Sequence, residues 1–187
     1  MKILKFWRTL LLAGGLVAFV AGGAAAELAK PTGTIVLTIG GAVGYPNLGA
    51  PDHFSASTLK VLEYDYTRAA AFDVAMLESL GTVKLTVKAE PWPRAITLEG
   101  PLLIDVLIVA GWTGSKITAV ALDGFAVEIT AADLAERDWI VAIKGDGAYL
   151  GIGGRGPVWI VYDVAGGKGS AEDEARWPWA VFYISAE

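Results

Sequence analysis

Residues 116–130 read KITAVALDGFAVEIT, two runs of alternating side chains joined at Asp123-Gly124. Alternation with period two sends successive side chains to opposite faces of a strand, a rhythm that an amphipathic helix does not follow. A dipeptide that tolerates positive φ between two such runs predicts a tight antiparallel hairpin. That hairpin commits this part of the chain to sheet, and shorter β-type runs recur on both sides of it. TIVLTIGGAV (34–43), TLKVLEYDYT (58–67), TVKLTVKA (82–89) and AITLEG (95–100) precede it. WIVAIKG, PVWIVYD and WAVFYISAE follow it. GYPNLGAPDHFSAS, rich in Gly, Pro, Asn and Ser, reads as a loop.

Short helical signals interrupt the strands. In FDVAMLESLG (72–81), Asp73 is placed to cap the first turn, Val74, Leu77 and Leu80 recur at three-residue spacing, and Gly81 permits a left-handed stop. PLLIDVLIVAGW (101–112) has a proline at its start and a glycine near its end, the punctuation of a buried helix. TAADLAERD (130–138) pairs Thr130 with Asp133 three residues on, close to a capping box. The EPWP of residues 90–93 is expected to be extended, because a residue before proline avoids the helical region. The order is too irregular for a doubly wound parallel sheet, so the expected class is α+β, with mixed or antiparallel sheets and short helices in a single domain.

The first residues carry Lys2, Lys5 and Arg8, then an apolar run from about Thr9 to Val20, then small residues ending at Ala24-Ala25-Ala26. This three-part pattern predicts a secretory signal peptide over 1–26, a domain over 27–187 and a periplasmic or secreted location. A membrane anchor is the alternative for so apolar a segment, but no basic stop-transfer flank follows it. Cleavage there would remove three of the 15 basic residues and none of the 20 acidic ones, taking the formal charge from −5 to −8. Such a charge repels phosphate backbones, which argues against nucleic acid as a partner. The chain has no cysteine, so no disulfide supports it, and its stability must come from packing.

Several motifs have structural readings as strong as their functional ones. GIGGRG (151–156) fits G-x-G-x-x-G, yet Pro157 and a β-type run follow it, whereas a dinucleotide fingerprint must open a helix. His53 is the single histidine and sits in the Gly/Pro-rich loop, which leaves no protein-made transition-metal site and no serine–histidine pair beside a G-x-S-x-G elbow. Glu172-Asp173-Glu174 has the composition of a calcium ligand set, but such an acidic run reads first as a solvated loop. Trp92, Trp159, Trp177 and Trp179 lie close in sequence to Arg94, Arg155 and Arg176. Their convergence would make an aromatic, cationic pocket for an anionic or planar ligand, while their separation would make them core rings and surface ion pairs.

Taken in order, LTIGGAV, FDVAMLESLGTVKLTV, LEGPLLIDVLIVAG, ITAVALDGFAVEITAADL, IVAIKGDGAYLGIGGRGPVWIVYD and RWPWAVFYISAE resemble the molybdopterin-binding domain of the sulfite oxidase family. The likeness spans about residues 33–186 and implies that family's fold. In the family, a cysteine in the crossing after the strand that corresponds to TVKLTVKA gives molybdenum a thiolate. Lys88, Ala89 and Glu90 stand there in this chain, and a lysine or carboxylate is a hard donor in place of a soft one. Val158 and Trp159 follow the proline of the Gly-rich turn, where the family commonly has an arginine for the cofactor phosphate, and Arg176-Trp177 keeps a basic residue before tryptophan.

The resemblance therefore implies a common cleft bordered by Lys88, Glu90, Trp92, Arg94, Arg155, Trp159 and Arg176 as ligand-binding residues, with no catalytic and no metal-ligating residue. The expected function is a non-catalytic binding or accessory module, without cofactor, that takes a small anionic or planar ligand or a periplasmic or membrane protein partner. The alternative is a molybdopterin-dependent oxidoreductase whose metal is held by the cofactor's dithiolene alone.

Overall fold

Gly124 opens the turn that the alternating pattern requires. Its φ is +88°, the Ala121 N–H donates to the Phe125 carbonyl at 2.8 Å, and the Phe125 N–H donates to the Asp123 carboxylate at 3.0 Å. Positive φ falls on the glycine and not on Asp123, so the reversal takes one left-handed residue rather than two. The structure is a computed structural model that describes residues 28–187, and the expected signal peptide over 1–26 lies outside the described residues.

In chain order the elements begin with β1 (Ile35–Gly41), β2 (Leu48–Gly49), α1 (Ser57–Val61), β3 (Arg68–Asp73), α2 (Val74–Ser79), β4 (Val83–Ala89) and β5 (Ile96–Gly100). Then come α3 (Leu103–Val109), β6 (Lys116–Ala121), β7 (Ala126–Thr130), α4 (Ala131–Glu136), β8 (Trp139–Ala142), β9 (Lys144–Gly145) and β10 (Ala148–Tyr149). The chain ends with β11 (Trp159–Tyr162), β12 (Lys168–Gly169), α5 (Ala171–Ala175) and β13 (Val181–Ala186).

Strands β2-β3-β1-β13-β6-β7 form one sheet, β10-β9-β5-β4-β12 a second, and β11-β8 a two-stranded ribbon. The β1–β13 and β12–β4 pairs are parallel and the others antiparallel, so the sheets are mixed. The protein is a single compact α+β domain, mostly sheet with a few short helices. No helix among the described residues is long and apolar enough to cross a membrane.

The core joins the elements from all three sheets. Leu37 and Ile39 of β1, Leu98 of β5, Ile117 of β6 and Ile129 of β7 are fully buried, as are Leu103, Val106 and Leu107 along one side of α3. Helix caps follow the sequence closely. Asp73, itself buried, accepts from the Met76 N–H at 2.8 Å at the head of α2, and from the backbone N–H groups of Gly33 and Thr32. These bonds favour the ionised form and hold its carboxyl below the ordinary aspartate range. Thr130 and Asp133 complete a reciprocal capping box at α4.

Two local expectations are corrected. Residues 58–67, expected as a strand, contain α1 and then an irregular segment: Leu59 is buried, but Val61, its partner in the alternating pattern, is exposed. Tyr64 and Tyr66 pack on Tyr183 instead of continuing a ladder. The strand there is β3, an alanine-rich run buried at five of its six positions between β1 and β2. Small side chains suit a strand covered on both faces, and weak β-propensity hides it in the sequence. Finally, EPWP turns rather than running extended, because the Trp92 N–H donates to the Ala89 carbonyl at 3.0 Å.

Candidate functional site

The turn after β4 brings Trp92 back over the molecule. Glu90 donates its N–H to the Gly169 carbonyl at 3.1 Å, which ties this crossing to β12, far along the chain. The Trp92 indole N–H donates to the Glu174 carboxylate at 2.6 Å, tying it to α5. From the other side, the Gly-rich turn and the segment before β13 are joined backbone to backbone: Ala180 N–H donates to the Arg155 carbonyl at 3.0 Å and Val181 N–H to Val158 at 2.9 Å. GIGGRG thus leads through Pro157 into β11, as a strand approach and not a helix start.

These ties assemble an aromatic enclosure around one cation. The Arg155 guanidinium lies 4.4 Å from the Trp159 ring centre, 5.1 Å from Trp92 and 5.9 Å from Trp179. Trp92 in turn tilts against Trp159 at 5.3 Å and Trp177 at 5.8 Å, and Tyr162 meets Trp177 edge-on at 5.5 Å. Arg155 is half-buried, and its side chain forms no hydrogen bond or ion pair among the described residues. Burial pushes its guanidinium below the ordinary arginine value, partly offset by the Glu174 charge.

This cation lines one concavity, and Trp179 beside it lines a second. The first, a small one of about 140 Å³, is lined by Trp92, Pro93, Arg94, Ile96, Arg155 and Trp159. The second, a larger cleft of about 290 Å³, lies between the β6–β7 hairpin tip (Asp123, Phe125), α5 and the side chains of Trp177 and Trp179. Trp177 is buried, and its indole nitrogen has no hydrogen-bond partner among the described residues. Trp179 is 44% exposed, a large aromatic face open to solvent beside a half-buried guanidinium.

The seven residues expected around one cleft fall in three places. Trp92, Arg94, Arg155 and Trp159 share the small concavity. Arg94 is already engaged there, donating to Asp146 at 2.6 Å and to the Ala95 carbonyl. Lys88 and Glu90 border a separate concavity of about 470 Å³ with Lys168, Gly169 and Ser170. Arg176 faces α4, where it donates to Asp133 at 2.6 Å and lies over the Trp139 and Tyr162 rings. Burial raises the Asp133 carboxyl, but hydrogen bonds from Thr130 and Arg176 prevail and hold it at about 2.

The sequence pattern did not single out Phe125 or Lys168, and it offered Glu174 only as part of an acidic run, not as a partner of Trp92. Glu174 belongs to the acidic run whose members are structural here: Asp173 caps α5 and accepts from the Tyr162 hydroxyl at 2.7 Å, while Glu174 holds Trp92. His53 sits 3.7 Å from Asp65 in an open loop. At the crossing, the donors do not fit a thiolate-held molybdenum centre. Ala89 is fully buried, Lys88 and Glu90 point outward to solvent, and no cysteine exists to supply sulfur. The chain matches none of the known protein-family models, and no curated protein matches its sequence.

Proposed function

We propose that this chain is an exported, non-catalytic binding module with a sulfite-oxidase-type fold, and that its ligand is a small planar anion held at Arg155. One observation carries the reading: a half-buried guanidinium faces three tryptophans and forms no ion pair among the described residues, the nearby Glu174 carboxylate being bonded to the Trp92 indole. A guanidinium partly removed from water favours a bidentate carboxylate or phosphate, and the surrounding rings offer flat faces to a conjugated body. Arg94 does not compete for this role, because Asp146 occupies it. The ordered segments that resemble the family supply the fold part of the proposal, and the exported location rests on residues 1–26.

Calorimetric titration with 2-naphthoate tests it, with neutral 2-naphthol and non-planar cyclohexanecarboxylate as controls. Naphthoate is expected to bind best. A charged hydrogen bond contributes roughly 1.5–3 kcal/mol, so Arg155→Ala is expected to weaken binding by about tenfold to a hundredfold. Equal binding of all three compounds, or an unchanged affinity in the variant, overturns the assignment.

A further inference from the structure

The solvent face of β4 follows a regular pairing rule until its last turn outward. Lys84 sits opposite Glu99 of β5 and reaches its carboxylate at 3.2 Å. Thr86 sits opposite Thr97, and the two hydroxyls meet at 2.9 Å. Two residues on, Lys88 points to the same face, but the β4–β5 ladder has ended at Val87 opposite Ile96. Its neighbour on the other side is Lys168 of β12, in direct parallel register.

Paired residues on adjacent parallel strands project from the same face, about 4.8 Å apart at the backbone. Like charges so placed destabilise a sheet rather than support it. Both lysines are exposed, and neither forms an ion pair among the described residues. The chain has 20 acidic residues against 15 basic ones, so this lysine pair stands out locally against a net negative molecule. The two also border the concavity of about 470 Å³ that reaches the β12–α5 junction at Ser170.

We infer that Lys88 and Lys168 form a binding site for a doubly charged oxyanion, a sulfate or phosphate group, distinct from the Arg155 enclosure. Each ammonium offers three donors, and together they match two negative charges that one lysine alone would leave half neutralised. Glu90 lies on the rim of the same concavity. Its carboxylate repels any anion that enters, so it limits the affinity that the two ammonium groups provide.

The test uses the full chain with ¹³C-labelled lysine, titrated with sodium sulfate against sodium chloride at constant ionic strength. The Lys88 and Lys168 Cε–H signals are expected to move saturably with sulfate, while those of Lys60 on α1 do not. Lys168→Glu replaces the repulsive pair with an attractive one, so it is expected to keep the fold and raise the melting temperature. The same variant is expected to weaken sulfate binding by more than about tenfold, and Glu90→Gln to strengthen it. Vesicles containing phosphatidic acid, run in parallel, identify the source: a response to free sulfate assigns a soluble oxyanion, and a response to vesicles alone assigns a lipid headgroup. Equal movement of all lysine signals, or an unchanged response in folded Lys168→Glu, overturns the site.

Discussion

Asp133 shows how one side chain can couple two elements through its charge. It closes the capping box of α4 and receives the Arg176 guanidinium, so its ionised form is held by three separate contacts. The folded carboxyl sits at about 2 against an ordinary 3.8, so the folded state binds the proton less readily than the unfolded one. Stability from this group is therefore fully present above about pH 4 and is lost as the pH falls through about 2. Melting temperatures recorded between pH 5 and pH 2 are expected to fall steeply for the native chain and less steeply for Asp133→Asn; parallel curves would show that the carboxylate does not couple to folding. Arg176 and Arg155 resemble each other in sequence, each near a tryptophan. The structure separates them by what they face, a carboxylate for Arg176 and ring faces for Arg155. Proximity to tryptophan was legible in the chain, but the presence or absence of an acidic partner, 43 residues away for Arg176, was not.

Elements defined by their own residues were the ones readable in advance. The β6–β7 hairpin, the caps of α2 and α4, and α3 with its buried apolar side each depend on side chains within one short window. Elements defined by their neighbours were not. β3 is a strand because β1 and β2 flank it, and the 58–67 segment leaves the sheet because Tyr64 and Tyr66 find Tyr183. The hairpin offers a direct check of the first class. Gly124 has φ of +88°, and a Cβ there would lie 3.1 Å from the Leu62 side chain. Gly124→Val is expected to destabilise the fold by about 1–3 kcal/mol, because a β-branched residue is strained at positive φ. Urea denaturation measures this directly, and a midpoint equal to that of the native chain would mean the turn has another geometry in solution.

At the scale of the whole molecule, the two proposed sites meet at one glycine. β12 contributes Lys168 to the lysine pair, and the next residue, Gly169, lies against the ring of Trp177, where a Cβ would come within 2.5 Å. Trp177 carries Trp92 on its other contacts, and Trp92 forms one wall of the Arg155 enclosure. Gly169 also accepts the Glu90 N–H, so the crossing after β4 is placed by the same short strand. A side chain at 169 must therefore push the rigid indole, the strand, or both, and overpacking of this kind costs typically 1–3 kcal/mol. Gly169→Ala is expected to lower stability by about that amount and, if still folded, to weaken both naphthoate and sulfate binding. Arg155→Ala, by contrast, is expected to affect naphthoate alone, and Lys168→Glu sulfate alone. Measuring both ligands on all three variants separates local chemistry from shared architecture. Independent responses in Gly169→Ala would show that the β12–Trp177 contact does not link the sites.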